Sequence, residues 1–130
     1  MSQRNVDVAT RVIEAFNATD VEAFVALTTA DFEWSPSMVA IEGQLFRGSD
    51  GIRAYFASLE DAWSEFLVLP DTFRHRGDTV VMLGGLRGRG TNSGVTVDES
   101  LGMVFDLRGG KVSRIRGFLD HGEAIRASQL

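Results

Sequence analysis

From Val95 to Leu107 the chain alternates with a period of two. Val95, Val97, Leu101, Met103, Phe105 and Leu107 fall on one parity, and Thr96, Asp98, Ser100, Gly102, Val104 and Asp106 on the other. An alternation this long specifies a β-strand with one face on a core and the other towards water. One residue interrupts the apolar row: Glu99. If the alternation holds, its carboxylate points inward among Val97, Leu101 and Met103. An ionised carboxylate in apolar surroundings is costly unless it is paired, hydrogen-bonded or neutralised by a raised pKa. Glu99 is therefore either half of a structural ion pair, with Arg87, Arg89, Arg114 or Arg116 as its partner, or it looks into a polar pocket. The sequence leaves both open.

The remaining elements follow from periodicity and punctuation. Residues 4–17 place Val8 or Ala9, Val12, Ile13 and Phe16 on one helical face. Thr19 and Glu22 match a capping box, which predicts a second short helix with Val21, Phe24, Val25 and Leu27 inward. Asp31 to Trp34 reads as a short strand stopped at Pro36. Residues 37–48 read as a loop or irregular strand with unusual apolar weight in Met38, Val39, Ile41, Leu45 and Phe46. A third helix, capped by Ser49 or Asp50, carries Ile52, Tyr55, Phe56, Leu59, Trp63 and Phe66 on one face. The period then returns to two, predicting strands at 67–75, 79–89, 95–107 and 111–119, with tight turns at Arg76-Gly77-Asp78 and Arg108-Gly109-Gly110. Gly84-Gly85 suggests a bulge or bend, and Asp120-x-x-Glu123 opens a C-terminal helical turn. The order predicts one α+β domain over residues 1–130: a cone of three N-terminal helices on a strongly curved, mostly antiparallel mixed sheet.

Composition removes several function classes. No cysteine is present, so thiol nucleophiles and zinc–thiolate sites are excluded. A net charge of −5 argues against a nucleic-acid partner. No apolar run approaches the ~18 residues of a membrane helix, and the first residues are polar, so a cytoplasmic protein without a membrane partner is expected. His75 and His121, the two histidines, have no second ligand at metal spacing and are expected at the surface, with His121 a weak proton-relay candidate beside Asp120; neither a metal nor a cofactor is expected.

With this order in view, Phe16-Asn17-Ala18-Thr19-Asp20, Thr29 to Trp34, Phe46 to Ile52, Gly102 to Leu107 and Gly110 to Asp120 resemble the SnoaL-like branch of the nuclear transport factor 2-like, or ketosteroid-isomerase-like, fold. The resemblance implies a cone with an open-ended pocket and a homodimer made by back-to-back sheets. It also implies reactive positions, and this chain departs from them. The isomerases' tyrosine, base and strand acid align with Val12, Ser35 and Leu101, and the last-strand aspartate of the cyclases and epoxide hydrolases aligns with Gly117.

Two functions follow as expectations. The first is a non-catalytic pocket for a small hydrophobic ligand, lined by Trp34, Phe46, Tyr55, Leu101, Met103 and Phe118. The second is a cofactor-free acid/base enzyme of isomerase, polyketide cyclase or epoxide hydrolase type. There Glu99 is the acid or base, Tyr55 donates to developing oxyanion charge and Asp120 is a further acid. For Asp120 the favoured expectation is an N-cap of the last helix, with Glu123 completing a box-like motif. A homodimer is expected through Thr96, Ser100, Gly102 and Val104 on the sheet face opposite the helices.

Overall fold

The computed structural model describes residues 2–36 and 45–130. Its element order is α1 (Ser2–Asn17), α2 (Val21–Ala26), β1 (Thr28–Ser35), β2 (Phe46–Arg47), α3 (Gly48–Ala62), β3 (Trp63–Arg76), β4 (Thr79–Gly90), β5 (Thr96–Arg108), β6 (Lys111–Phe118) and α4 (His121–Ser128). The strands form one open sheet in the order β2-β1-β6-β5-β4-β3. Among the described residues only β1 and β6 pair in parallel; the other neighbours are antiparallel. The expected α+β architecture is therefore found. Met38, Val39 and Ile41 of the expected loop lie outside the described residues.

The inner face of the sheet carries the main core. Val80, Met82 and Leu86 of β4 and Leu101, Met103, Phe105 and Leu107 of β5 pack with Val12, Ile13 and Phe16 of α1, Phe24 of α2 and Ile52, Tyr55 and Phe56 of α3. Phe24, Phe32 and Phe105 are fully buried, each contributing about 1.5–3 kcal/mol over an exposed position. Asn17 fastens α1 to the sheet edge: its side-chain amide donates to Val68 O and accepts from Val68 N, both at 2.8 Å.

Several boundaries differ from the sequence reading. Asp20, not Thr19, caps α2, accepting from Ala23 N at 3.1 Å. Thr19 instead takes φ 52° in the turn that ends α1. Neither Ser49 nor Asp50 caps α3; Arg47 holds that position without a side-chain bond. The helical periodicity through Trp63 and Phe66 overruns the helix, which stops at Ala62, so both aromatics stand on β3. The bend expected at Gly84 is real. The register slips between Pro70 and Thr72 on β3 where they face Gly84 and Leu83, and a Cβ on Gly84 would stand 2.2 Å from Leu69 O.

The outer face is not the bare surface the sequence suggested. Helix α4 lies across it, with Ala124 buried against Val81, Leu83 and Val104. His121 at its start places Nε2 2.8 Å from Gly84 O, so it joins α4 to the sheet instead of standing free in solvent; His75 is exposed. Gly102 and Val104, half of the row expected to pair with a second copy, are buried beneath α4, while Thr96 and Ser100 are exposed. No helix among the described residues is long and apolar enough to cross a membrane.

Candidate functional site

Between the sheet and the first three helices lies a cavity of about 30 Å³. Val12, Ile13 and Phe16 wall it from α1, Phe24 from α2, Trp34 and Pro36 from the end of β1, and Tyr55 from α3. Phe66 and Val68, Leu86, Leu101 and Met103, and Gly117 complete it from β3 to β6. The strands supply alternate residues because only one parity faces inward. Met103 stands opposite Gly117, and Gly102 opposite Phe118.

Four of the expected pocket residues line this space: Trp34, Tyr55, Leu101 and Met103. Phe46 does not; it stands behind Tyr55, ring centroids 5.0 Å apart. Phe118 is a correction. Its parity turns it to the outer face, where it packs against the cluster under α4, and the inward position falls to its neighbour Gly117. Ile13, Phe16, Phe24, Phe66, Val68 and Leu86 line it as well, beyond the expected set. The apolar stripe of the first helix was the one signal that pointed to the first two.

Glu99 is the larger correction. It has the inward parity, standing opposite the fully buried Leu86, yet it is exposed. Strand β6 stops at Phe118, opposite Gly102, so among the described residues β5 from Thr96 to Leu101 pairs with β4 alone. The carboxylate therefore sits beyond the part of the inner face that the described residues cover, without the apolar enclosure an acid/base role needs. Nor is it in an ion pair among the described residues. Arg114 and Arg116 both turn to Asp106, at 2.8 and 3.6 Å. Asp120 is exposed and caps α4, accepting from Gly122 N at 2.9 Å. Glu99, Tyr55 and Asp120 are not brought together.

What the cavity offers chemically is narrow. Every described lining residue is apolar except Tyr55 and Trp34, which carry one hydroxyl and one indole N–H. Their rings meet edge to face at 4.5 Å, and Trp34 stacks on Phe24 at 4.9 Å. Both are at least nine-tenths buried, at 5% and 3% exposure. The hydroxyl and the indole N–H are not among the fully buried polar atoms left without a partner; among the described residues that is Arg116 Nε alone. Burial pushes the Tyr55 phenol well above its ordinary pKa, so it stays protonated. Among the described residues no group of three His, Cys, Asp or Glu side chains could hold a metal ion.

A model of the SnoaL-like domain matches residues 9–115. No curated protein matches the chain. A nuclear transport factor 2-like protein of unknown function from Burkholderia pseudomallei is 23% identical, covers 100% of both chains and has a TM-score of 0.80. Another, from Burkholderia xenovorans, is 22% identical over 98% of each chain, with a TM-score of 0.79. A candidate SnoaL-like polyketide cyclase from Jannaschia is 23% identical over 98% of this chain and 92% of its own, also at 0.79. At these identities the likeness to solved structures is one of fold.

Proposed function

The chain belongs to the SnoaL-like domain family, and from that premise we propose that it is a non-catalytic binding module whose inner cavity takes a compact, mostly apolar molecule bearing one hydrogen-bond acceptor. The observation that carries this reading is the lining itself. Val12, Leu101 and Gly117 all face the cavity, and these are three of the positions at which the catalytic relatives of the fold resemblance carry a tyrosine or a carboxylate. Here they present carbon, or no side chain at all. Such a surface supports binding, and among the described residues it gives proton transfer no carboxylate or imidazole to use. Orientation would come from the Tyr55 hydroxyl and the Trp34 indole, both able to donate to a carbonyl or ether oxygen.

Size limits the ligand. About 30 Å³ is a tenth of the ~300 Å³ at the lower end of ordinary small-molecule sites, and holds about two waters. A single ring enters by displacing side chains. Met103 is the adaptable wall, since its unbranched thioether repacks readily, and Phe66 is only half-buried.

Titration with a small cyclic ketone and with the hydrocarbon of the same shape tests the reading, followed by thermal unfolding and by chemical shifts of the lining residues. The ketone should bind saturably and raise the melting temperature. Tyr55→Phe should weaken the ketone about fivefold, the equivalent of one net hydrogen bond of ~1 kcal/mol, and leave the hydrocarbon unaffected. Absence of saturable binding by either compound overturns the proposal.

A further inference from the structure

A second concavity, of about 250 Å³, lies on the surface between the end of α3 and the start of β3. Its floor is aromatic and aliphatic, formed by Phe56, Leu59, Trp63 and Phe66, and its rim carries Glu60 and Glu65. Trp63 and Phe66 meet edge to face with centroids 5.4 Å apart. The indole lies close against bare backbone, since a Cβ on Gly88 would stand 2.9 Å from Trp63 Cε3. Both rings keep part of their surface exposed to the groove.

The charges around this floor run against local helix preference. Helix α3 ends with Glu60 and Asp61 and no basic residue in its last turn, although the carbonyl end of a helix favours cations. Glu60, Asp61 and Glu65 are exposed and form no ion pair among the described residues. Arg89 stands across the ladder from Glu65 without pairing to it. Exposed carboxylates, with Arg89 across the ladder from Glu65, and a helix carbonyl end thus surround π-faces, whose own quadrupole also attracts cations. Local rules broken together at one place mark functional positions more often than accidents of packing.

We propose that this groove binds a small organic cation of the alkylated ammonium type. Its alkyl groups would lie on Trp63 and Phe66, and its charge would be balanced by Glu60 and Glu65. Complementarity of charge and surface selects this occupant: an anion meets the carboxylates, and a metal ion finds no converging ligands on an aromatic floor. The site is separate from the inner cavity and stands or falls without it.

The test is a titration of the intact chain with choline chloride and with its neutral isostere, in which a quaternary carbon replaces the nitrogen, at constant ionic strength. Resonances of the Trp63 indole and of Glu60 and Glu65 are followed. Choline should bind saturably at these resonances, at least tenfold more tightly than the isostere. Glu60→Gln with Glu65→Gln, two exposed positions, should weaken choline at least fivefold without lowering the melting temperature. Trp63→Leu should likewise weaken choline at least fivefold, at some cost in melting temperature because the indole packs on Gly88 and Phe66, and Trp63→Phe should recover part of the affinity. Equal binding of choline and isostere, shifts that do not saturate, or indifference to the paired Gln substitutions would each overturn the proposal.

Discussion

Phe16 and Phe66 meet edge to face with ring centroids 6.0 Å apart, and this pair is the partition between the inner cavity and the surface groove, because both residues line both spaces. Phe66→Ala should therefore join the two into one chamber of a size that admits ordinary small ligands. The variant should bind two-ring ketones that the native chain excludes. Its stability should fall by about 2–3 kcal/mol, less than the ~3–5 kcal/mol of a fully buried phenylalanine. Calorimetric titration of both proteins with the same two-ring ketone checks this, and equal exclusion by both would show that another wall closes the cavity.

The side chain of Asn17 substitutes for a strand neighbour at one point of the sheet edge, satisfying both backbone groups of Val68. Asn17→Ala removes two hydrogen bonds, each worth ~1 kcal/mol net, and leaves Val68, itself 4% exposed, with an N–H and a carbonyl to hydrate. A loss of about 2–4 kcal/mol in denaturant unfolding is expected. Asn17→Asp keeps the acceptor and loses the donor, so it should fall between the two. A loss below ~1 kcal/mol for the alanine variant would show that water replaces the amide without cost.

These two sites differ in how far the sequence exposes them. Alternation on β5 correctly assigned Leu101, Met103 and Phe105 to the inner face, because parity is a local property of the pleat. It failed for Glu99, because parity fixes the face and not the depth. Whether an inward residue is covered depends on where β6 stops, and that is set by long-range pairing. The same limit explains Phe118. One residue of register decides between cavity and outer face, and the hairpin at Gly109-Gly110 gave no count of residues across the slip near Asp106 and Leu107. Trp63 and Phe66 misled for another reason. A 3.6-residue period continued by chance into an edge strand whose inward positions happened to fall in step. The cover of α4 over Gly102 was not legible at all, since an eight-residue amphipathic helix carries no mark of which face it will cover.

That cover makes a sharp prediction about two glycines. A Cβ on Gly102 would stand 2.5 Å from Ala124 Cβ, a contact no side-chain rotation relieves. Gly102→Ala should cost about 1–3 kcal/mol, the range for overpacking a core, by lifting α4 from the sheet. Ala124→Gly in the same chain should return part of that loss, despite the ~1 kcal/mol that glycine costs inside a helix. Gly77→Ala, with φ +56° and open space around it, isolates the backbone effect alone at about 1–2 kcal/mol. Urea unfolding of the four variants decides it; additivity of Gly102→Ala and Ala124→Gly would show that α4 does not rest on the sheet as described.

Glu99→Gln should be silent. An exposed carboxylate at a strand end without an ion pair among the described residues contributes within about 0.5 kcal/mol of nothing. The variant should also bind the cyclic ketone as the native chain does. A tenfold or greater change in that affinity would place Glu99 in contact with the ligand and restore the acid to the site.

Tyr55 makes stability depend on alkaline pH in a way a single substitution can isolate. It is the one tyrosine in the chain, so the ultraviolet band of tyrosinate reports it alone. Burial raises its pKa in the folded protein above the ordinary value of 10.0, because the phenolate would lose its hydration beside Trp34 and Phe46. In the unfolded chain the phenol ionises near its ordinary value. The folded state therefore holds more protons than the unfolded state once pH passes about 10, and stability falls as pH rises from there. Below that pH both states carry the neutral phenol and the contribution is constant. Tyr55→Phe removes the proton and with it this part of the pH dependence. The difference in unfolding free energy between native chain and variant should be flat from neutral pH to about 9 and then change steadily in the variant's favour. Tyrosinate absorbance in the native chain should rise only with unfolding, measured by circular dichroism in the same samples. Tyrosinate appearing near pH 10 in the folded protein would mean that the phenol reaches solvent, and the inner cavity would lose the buried donor on which its ligand preference rests.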